Sequence, residues 1–84
     1  MNQAEWFVYI LKCADGSLYT GITNDLDRRL DSHLRGKASR YTRARLPVAL
    51  VYQEGHPNRS AASIREAAIK KLDRPQKEAL FQSA

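Results

Sequence analysis

The chain has little of several things, and each scarcity narrows what it can be. It holds one cysteine, Cys13, so no internal disulfide can form, and a reduced, cytoplasmic setting is expected. Cys13 closes an apolar segment and reads as a small hydrophobe rather than a nucleophile. Two histidines and that cysteine are too few and too scattered for a zinc site. With four glycines and three prolines there is no Gly-rich phosphate cradle, no low-complexity tract and no linker. No apolar run approaches the length needed to span a bilayer, so no membrane partner is expected. Glu5 stands near the start and no basic-then-apolar leader is present, which also points to the cytoplasm. No Ser/His/Asp triad has supporting spacing. Eighty-four residues, 43% of them hydrophobic, suit one small folded domain spanning 1–84.

Acids are also scarce. The net charge is +5, and its distribution says more than its total. Arg28, Arg29, Arg35, Lys37, Arg40, Arg43 and Arg45 lie in one stretch against a single acid, Asp31. The net charge of that stretch, seven cations against one acid, exceeds the net charge of the whole chain. Such a patch draws a polyanion by releasing condensed counterions, so nucleic acid is the expected partner. The plain alternative is a solvated, arginine-rich surface.

Two tyrosine segments organise the rest. Trp6, Val8 and Ile10 alternate with Phe7, Tyr9 and Leu11, so a strand over roughly Glu5–Cys13 is apolar on both faces and belongs at the centre of a sheet. A second strand spans roughly Ser17–Thr23, and Asp15-Gly16 between them is a hairpin signal. Gly21 marks a bulge or a close backbone approach within that strand. A helix follows from about Asp25 to Arg35, capped by Thr23 or Asn24, stopped by Gly36, with Leu26, Leu30 and Leu34 inward. Arg29 and His33 flank that stripe one turn apart. Residues 36–46 form a loop or short helical turn in which Tyr41 anchors the segment or stacks on a base. Pro47 opens a strand over Val48–Gln53, with Leu50 and Tyr52 on one face. His56 to Arg59 form a turn, and Ser60 caps a helix over Ala61–Leu72 with Ala61, Ile64, Ala68 and Leu72 inward. Glu66 lies off that stripe, bracketed by Ala62 and Ile69; it either reaches into a cleft or pairs with Lys70. Asp73, Pro75 and Gln76 open a last helix with a capping box, and Leu80 and Phe81 seal the core. The class is α+β, a three-stranded antiparallel sheet flanked by helices.

Val8-Tyr9-Ile10, Tyr19-Thr20-Gly21, Arg29-Leu30 and His33, with Glu66 on a later helix, resemble the GIY-YIG nuclease family. Val8 replaces the first name-giving Gly, and Thr20 replaces the second Ile while Tyr19 and Gly21 are kept. The resemblance covers about Trp6 to Leu80. It is nearest to the small stand-alone members, and His56-Pro57-Asn58-Arg59 running into Glu66 is similar to the nuclease domain of the branched-DNA structure-specific endonuclease. The resemblance implies a divalent-metal-dependent DNA endonuclease, in DNA repair or recombination. It places Tyr9 and Tyr19 at the attacking water, Arg29 on the phosphate, His33 in hydrogen bonding or proton transfer, and Glu66 on Mg2+ or Mn2+. Arg28, Arg35, Lys37, Arg40, Arg43 and Arg45 would hold the nucleic acid, and Gly21 would shape the site. The substrate would be DNA, including branched or single-stranded forms, with a protein partner or self-association supplying selectivity. Two rivals stand beside this reading: a non-catalytic nucleic-acid-binding module, and a protein-interaction domain whose charge only keeps it in solution.

Overall fold

A computed structural model describes residues 5–82. Its sheet is built from β1 (Trp6–Cys13), β2 (Leu18–Thr23) and β3 (Val48–His56), in the order β2-β1-β3, with both pairings antiparallel. The expected α+β class and the central place of β1 are both found. Four consecutive residues, Val8 to Leu11, are buried, because each face of the strand has its own cover. Val8 and Ile10 meet Ala62 and Ile69 of α3 (Arg59–Lys70), together with Leu80 and Phe81 of α4 (Arg74–Phe81). Tyr9, Leu11 and Cys13 meet Leu26 and Leu30 of α1 (Leu26–Leu34) and Leu46. Each fully buried aliphatic side chain contributes roughly 1.5–3 kcal/mol, so this one strand dominates a small core. Cys13 is a buried free thiol.

The hairpin turn closes through the Gly16 N–H to the Cys13 carbonyl and the Cys13 N–H to the Ser17 carbonyl, both 2.9 Å. Gly16 carries φ +84, the left-handed conformation this turn requires. The Asp15 carboxylate accepts from the Ser17 N–H and hydroxyl, which holds its pKa below the usual range.

Several boundaries and faces differ from expectation. Asp25 caps α1, its carboxylate accepting from the Arg28 N–H, while the Thr23 hydroxyl accepts from the Asp25 N–H. His33, not Leu34, completes the inward stripe: Leu34 is 48% exposed and His33 1%. At about 100° per residue His33 falls within about 20° of Leu26, whereas Leu34 stands about 80° away. Residues 40–43 form a short helix, α2 (Arg40–Arg43), capped by Ser39. β3 runs on to His56, and an irregularity opposite Ile10/Leu11 separates Leu50 from Tyr52. Leu50 then packs on the α1 side and Tyr52 on the α3 side. Asn58 caps α3, two residues ahead of the expected position, and Ser60 lies inside the helix. Its inward face is Ala62 and Ile69, while Ile64 is 70% exposed. The expected stripe of Ala61, Ile64, Ala68 and Leu72 is therefore not the core face. Glu66, within about 40° of Ala62, is turned toward the molecule. The capping box at Asp73 and Gln76 is present as read. The loose terminus expected for residues 1–4 lies outside the described residues.

Candidate active site

The β1–β2 ladder sets Tyr9 opposite Gly21 and Leu11 opposite Tyr19, so both tyrosines rise from the face that α1 covers. Their ring centroids are 6.4 Å apart, and the His33 ring lies 5.7 Å from Tyr9 and 5.2 Å from Tyr19, edge-on to both. Gly21 makes this possible. A Cβ at that position would stand 2.6 Å from the Tyr9 hydroxyl oxygen, so the phenol occupies the space a side chain would fill. The close approach expected at Gly21 is a contact with Tyr9.

Tyr9 Oη lies 2.8 Å from His33 Nε2, and His33 Nδ1 lies 2.8 Å from the Thr42 hydroxyl. Thr42 in turn sits 2.9 Å from the Ser39 hydroxyl. Tyr9, His33 and Thr42 are all buried. Burial, then the neighbouring Tyr19, pushes the Tyr9 phenol well above the ordinary range; Arg29 pulls the other way and Glu66 adds to the rise. Burial, and then Arg29, holds His33 below its usual value. At neutral pH this is a protonated phenol bonded to a neutral imidazole.

Arg29 is exposed, one helical turn before His33. It lines a cleft of about 490 Å³ with Asn24, Asp25, Arg28, Ser32 and Lys37. Among the described residues it makes no ion pair, so its planar donor fork is available to an anion. Glu66 has a side chain 23% exposed and an ion pair with Lys70 at 3.5 Å. The pairing at i+4 is present, and the carboxylate lies close enough to Tyr9 for its charge to raise that phenol. No cluster of three metal-ligating side chains exists among the described residues. A lone, half-exposed carboxylate fits an ion such as Mg2+ that keeps most of its waters, and does not fit a closed protein cage.

The other cations divide. Arg28, Lys37, Arg40 and Arg43 are exposed and, among the described residues, form no ion pair. Arg35 pairs with Asp31 at 2.9 Å. Arg45 donates to Asp15 and to the Tyr41 carbonyl, both at 3.0 Å, and its guanidinium lies 3.8 Å from the centre of the Tyr41 ring. Tyr41 stacks in turn against Tyr19 at 6.0 Å, so it anchors the segment.

Thr42 and Ser39 belong to the site and stood out in no motif; the Ser-x-x-Thr spacing of a helix cap was their one signal. A second missed cluster lies on the opposite face. Glu54 accepts from the Tyr52 hydroxyl, from Arg65 Nε at 2.9 Å and, through its other contact at 2.6 Å, pairs with His56. It ties β3 to α3 and so helps to place Glu66. His56 is the last strand residue, not a loop residue. From the first turn of α3, Arg59 reaches over the Trp6 ring at 5.6 Å.

The chain matches the family model of the GIY-YIG catalytic domain over residues 5–79. It is 55% identical over 71 residues to a UPF0213 protein of Streptococcus sanguinis, covering 84% of this chain and 82% of that one. A UPF0213 protein of Desulfotalea psychrophila is 52% identical over 84 residues, 99% of this chain and 76% of that one. The solution structure of a UPF0213 protein from Bacillus halodurans superposes with a TM-score of 0.58 at 47% identity, covering 89% of this chain and 80% of that one. That of an E. faecalis protein superposes with a TM-score of 0.62 at 43% identity, covering 92% and 82%.

Proposed function

The chain belongs to the GIY-YIG family of catalytic domains, and from that membership we propose that it is a divalent-metal-dependent endonuclease hydrolysing phosphodiester bonds in DNA. One observation carries the reading. Tyr9, Tyr19 and His33 converge in mutual ring contact beside a cleft lined by an arginine with no acidic partner among the described residues.

Hydrolysis needs a proton acceptor for water, charge relief at the phosphate and help for the departing oxygen. Arg29 grips the phosphate with two parallel N–H groups and offsets the charge that develops on it. The phenols of Tyr9 and Tyr19 face the attacking water, and His33 receives hydrogen-bonded support from below. Glu66 would hold the metal, displacing Lys70, and the bound ion would supply Lewis-acid relief of the phosphate charge. Arg28, Lys37, Arg40 and Arg43 hold the flanking backbone, with Arg35 and Arg45 at the edge of the same surface. We read residues 1–84 as one catalytic unit acting in the cytoplasm, in repair or recombination of DNA. Among the described residues no helix is long and apolar enough to cross a membrane. Branched or single-stranded DNA, a protein partner or self-association would supply selectivity.

The test is a Mg2+ and Mn2+ titration of nicking on plasmid, single-stranded and branched DNA, with wild type, Glu66→Ala and Arg29→Ala. Metal-dependent cutting is expected, lowered on the order of 10²-fold or more in each variant. The ion pair between Glu66 and Lys70 favours a second reading, a nucleic-acid-binding module without catalysis. Salt-sensitive binding with no cutting under any metal would select it.

A further inference from the structure

We propose that Thr42, backed by Ser39, is a positioning residue that holds neutral His33 as its Nδ1–H tautomer, leaving Nε2 as the acceptor for the Tyr9 hydroxyl; the catalytic use of this arrangement rests on the nuclease reading above.

The four groups form one chain of contacts: Tyr9 Oη to His33 Nε2 at 2.8 Å, His33 Nδ1 to Thr42 Oγ1 at 2.8 Å, and Thr42 Oγ1 to Ser39 Oγ at 2.9 Å. A neutral imidazole has one N–H, so one ring nitrogen must donate and the other accept, and the protons have two simple runs along the chain. If they run outward from Ser39, the Ser39 hydroxyl donates to Thr42, Thr42 to Nδ1, and Nε2–H to the Tyr9 oxygen. In the free protein, before a substrate brings water to the site, the phenolic proton is then left over on a residue 3% exposed, with no acceptor among the described groups. A buried donor without a partner costs about 1–3 kcal/mol. If they run inward from Tyr9, the phenol donates to Nε2, Nδ1–H donates to Thr42, and Thr42 donates to Ser39. The proton left over belongs to the Ser39 hydroxyl, which is partly exposed and meets solvent. Every buried group is then paired, and this arrangement prevails.

Ser39 is oriented for that role. Its oxygen already accepts the Thr42 N–H at 3.0 Å as the cap of α2. The carbonyl of Ser39 offers the Thr42 hydroxyl a second acceptor at 3.4 Å. Thr42 is 0% exposed, the one buried residue of α2, so its hydroxyl has no route to water. In water a neutral histidine favours the other tautomer, so the protein must impose this one. The catalytic consequence is a directed proton path. Tyr9 takes a proton from the attacking water while its own moves to Nε2, and once the product leaves the proton passes back through Tyr9 to water. Both imidazolium N–H groups then have acceptors, Tyr9 and Thr42.

The ring nitrogen shifts of His33 decide the matter, and they are readable whether or not the protein cleaves anything. Long-range 1H–15N correlation spectra at pH 7.5 would be recorded on wild type, Thr42→Ser and Thr42→Val. Wild type should show a protonated Nδ1 and a bare Nε2, Thr42→Ser should keep that pattern, and Thr42→Val should shift toward protonated Nε2. Protonated Nε2 in wild type, or an unchanged spectrum in a folded Thr42→Val, overturns the proposal. If Thr42→Val fails to fold, the wild-type and Thr42→Ser spectra decide alone. Where cleavage is measurable, Thr42→Val should lower kcat by roughly tenfold or more with KM nearly unchanged, and Thr42→Ser should restore it. Absence of cleavage in every protein bears on the nuclease reading and leaves the tautomer result standing.

Discussion

Gly21 faces Tyr9 across the β1–β2 ladder, and the Tyr9 phenol fills the place of the side chain that Gly21 lacks. The glycine backbone is ordinary; Gly16 and Gly36 are the glycines with positive φ. The requirement at Gly21 is therefore one of space. Gly21→Ala puts a methyl 2.6 Å from the hydroxyl oxygen and 2.7 Å from Cζ, which forces the ring off its bond to His33. Overpacking of this kind costs about 1–3 kcal/mol. Urea denaturation should show that loss, together with a lower phenol–imidazole coupling in the His33 spectrum. A variant as stable as wild type would mean the ring has room to move.

The two tyrosines should separate in stability measurements. Tyr9→Phe removes a buried hydroxyl and strands Nε2, at a cost of about 1–3 kcal/mol. Tyr19 is less buried and, among the described residues, its hydroxyl makes no hydrogen bond, its ring meeting those of Tyr9, His33 and Tyr41. Tyr19→Phe keeps those contacts and should change stability by less than about 0.5 kcal/mol. Equal losses in thermal denaturation would contradict this division.

Acid should weaken the fold before any carboxylate titrates. His33 is buried neutral, with a folded pKa held down by burial and by Arg29. The unfolded chain takes up a proton near pH ~6.5 that the folded chain resists, so stability rises with pH through the window just below that value. The groups facing the imidazole are Tyr9, Tyr19, Arg29 and Thr42. The urea midpoint should be lower at pH 5.5 than at pH 7.5 in wild type, with a smaller difference in His33→Gln. A flat wild-type profile would show that the imidazole protonates without penalty.

Glu54 fastens α3 to β3. Partial burial opposes its charge, but donation by Tyr52, Arg65 and His56 outweighs that and holds the carboxyl below its usual range. Glu54→Gln keeps the shape and removes the charge that three donors share. A loss of about 1–2 kcal/mol is expected from the weakened charged hydrogen bonds. Since α3 carries Glu66, the apparent metal affinity in the cleavage titration should fall as well. Loss of stability with unchanged metal dependence would separate the two roles.

Salt titrations of DNA binding should sort the arginines. Removing a cation that contacts phosphate lowers the slope of log K against log salt by about one. Arg28→Ala and Lys37→Ala should each do so. Arg45→Ala should change the slope far less, because its guanidinium is committed to Asp15, the Tyr41 carbonyl and the Tyr41 ring. A full unit lost at Arg45 would mean that DNA displaces Asp15.

The hairpin, the central strand and the last capping box were legible because their signals are local: alternation in β1, Asp15-Gly16, and Asp73 with Pro75 and Gln76. The tyrosines, Arg29, His33 and Glu66 were legible through family resemblance, since periodicity alone left Glu66 open between cleft and surface. The phase of α3 was misread because Ile64 and Leu72 outweigh Ala62 on any scale of side-chain size. Packing chose differently: Ala62 is 0% exposed beneath β1, and Ile64 points to solvent. Asn58 and Ser60 are both good caps, and only the path of the chain out of β3 separates them. A four-residue helix such as α2 leaves no periodic trace, so Thr42 looked like any polar residue in a basic run. Charge counting treats Arg45 and Arg28 alike, although one is spoken for by Asp15.

The stretch after α1 is pinned at three places: by the Gly36 N–H on the His33 carbonyl, by Thr42 under the imidazole, and by the Ala14 N–H on the Arg45 carbonyl, 3.0 Å, 2.8 Å and 2.9 Å respectively. A segment held this way behaves as one thermodynamic unit, because freeing any pin loosens the purchase of the others. Energies of substitution at Asp15, Thr42 and Arg45 therefore will not add, although Asp15 stands in a hairpin turn and Thr42 in the core. A surface ion pair at one rim of the molecule is coupled in this way to the orientation of a ring in its interior.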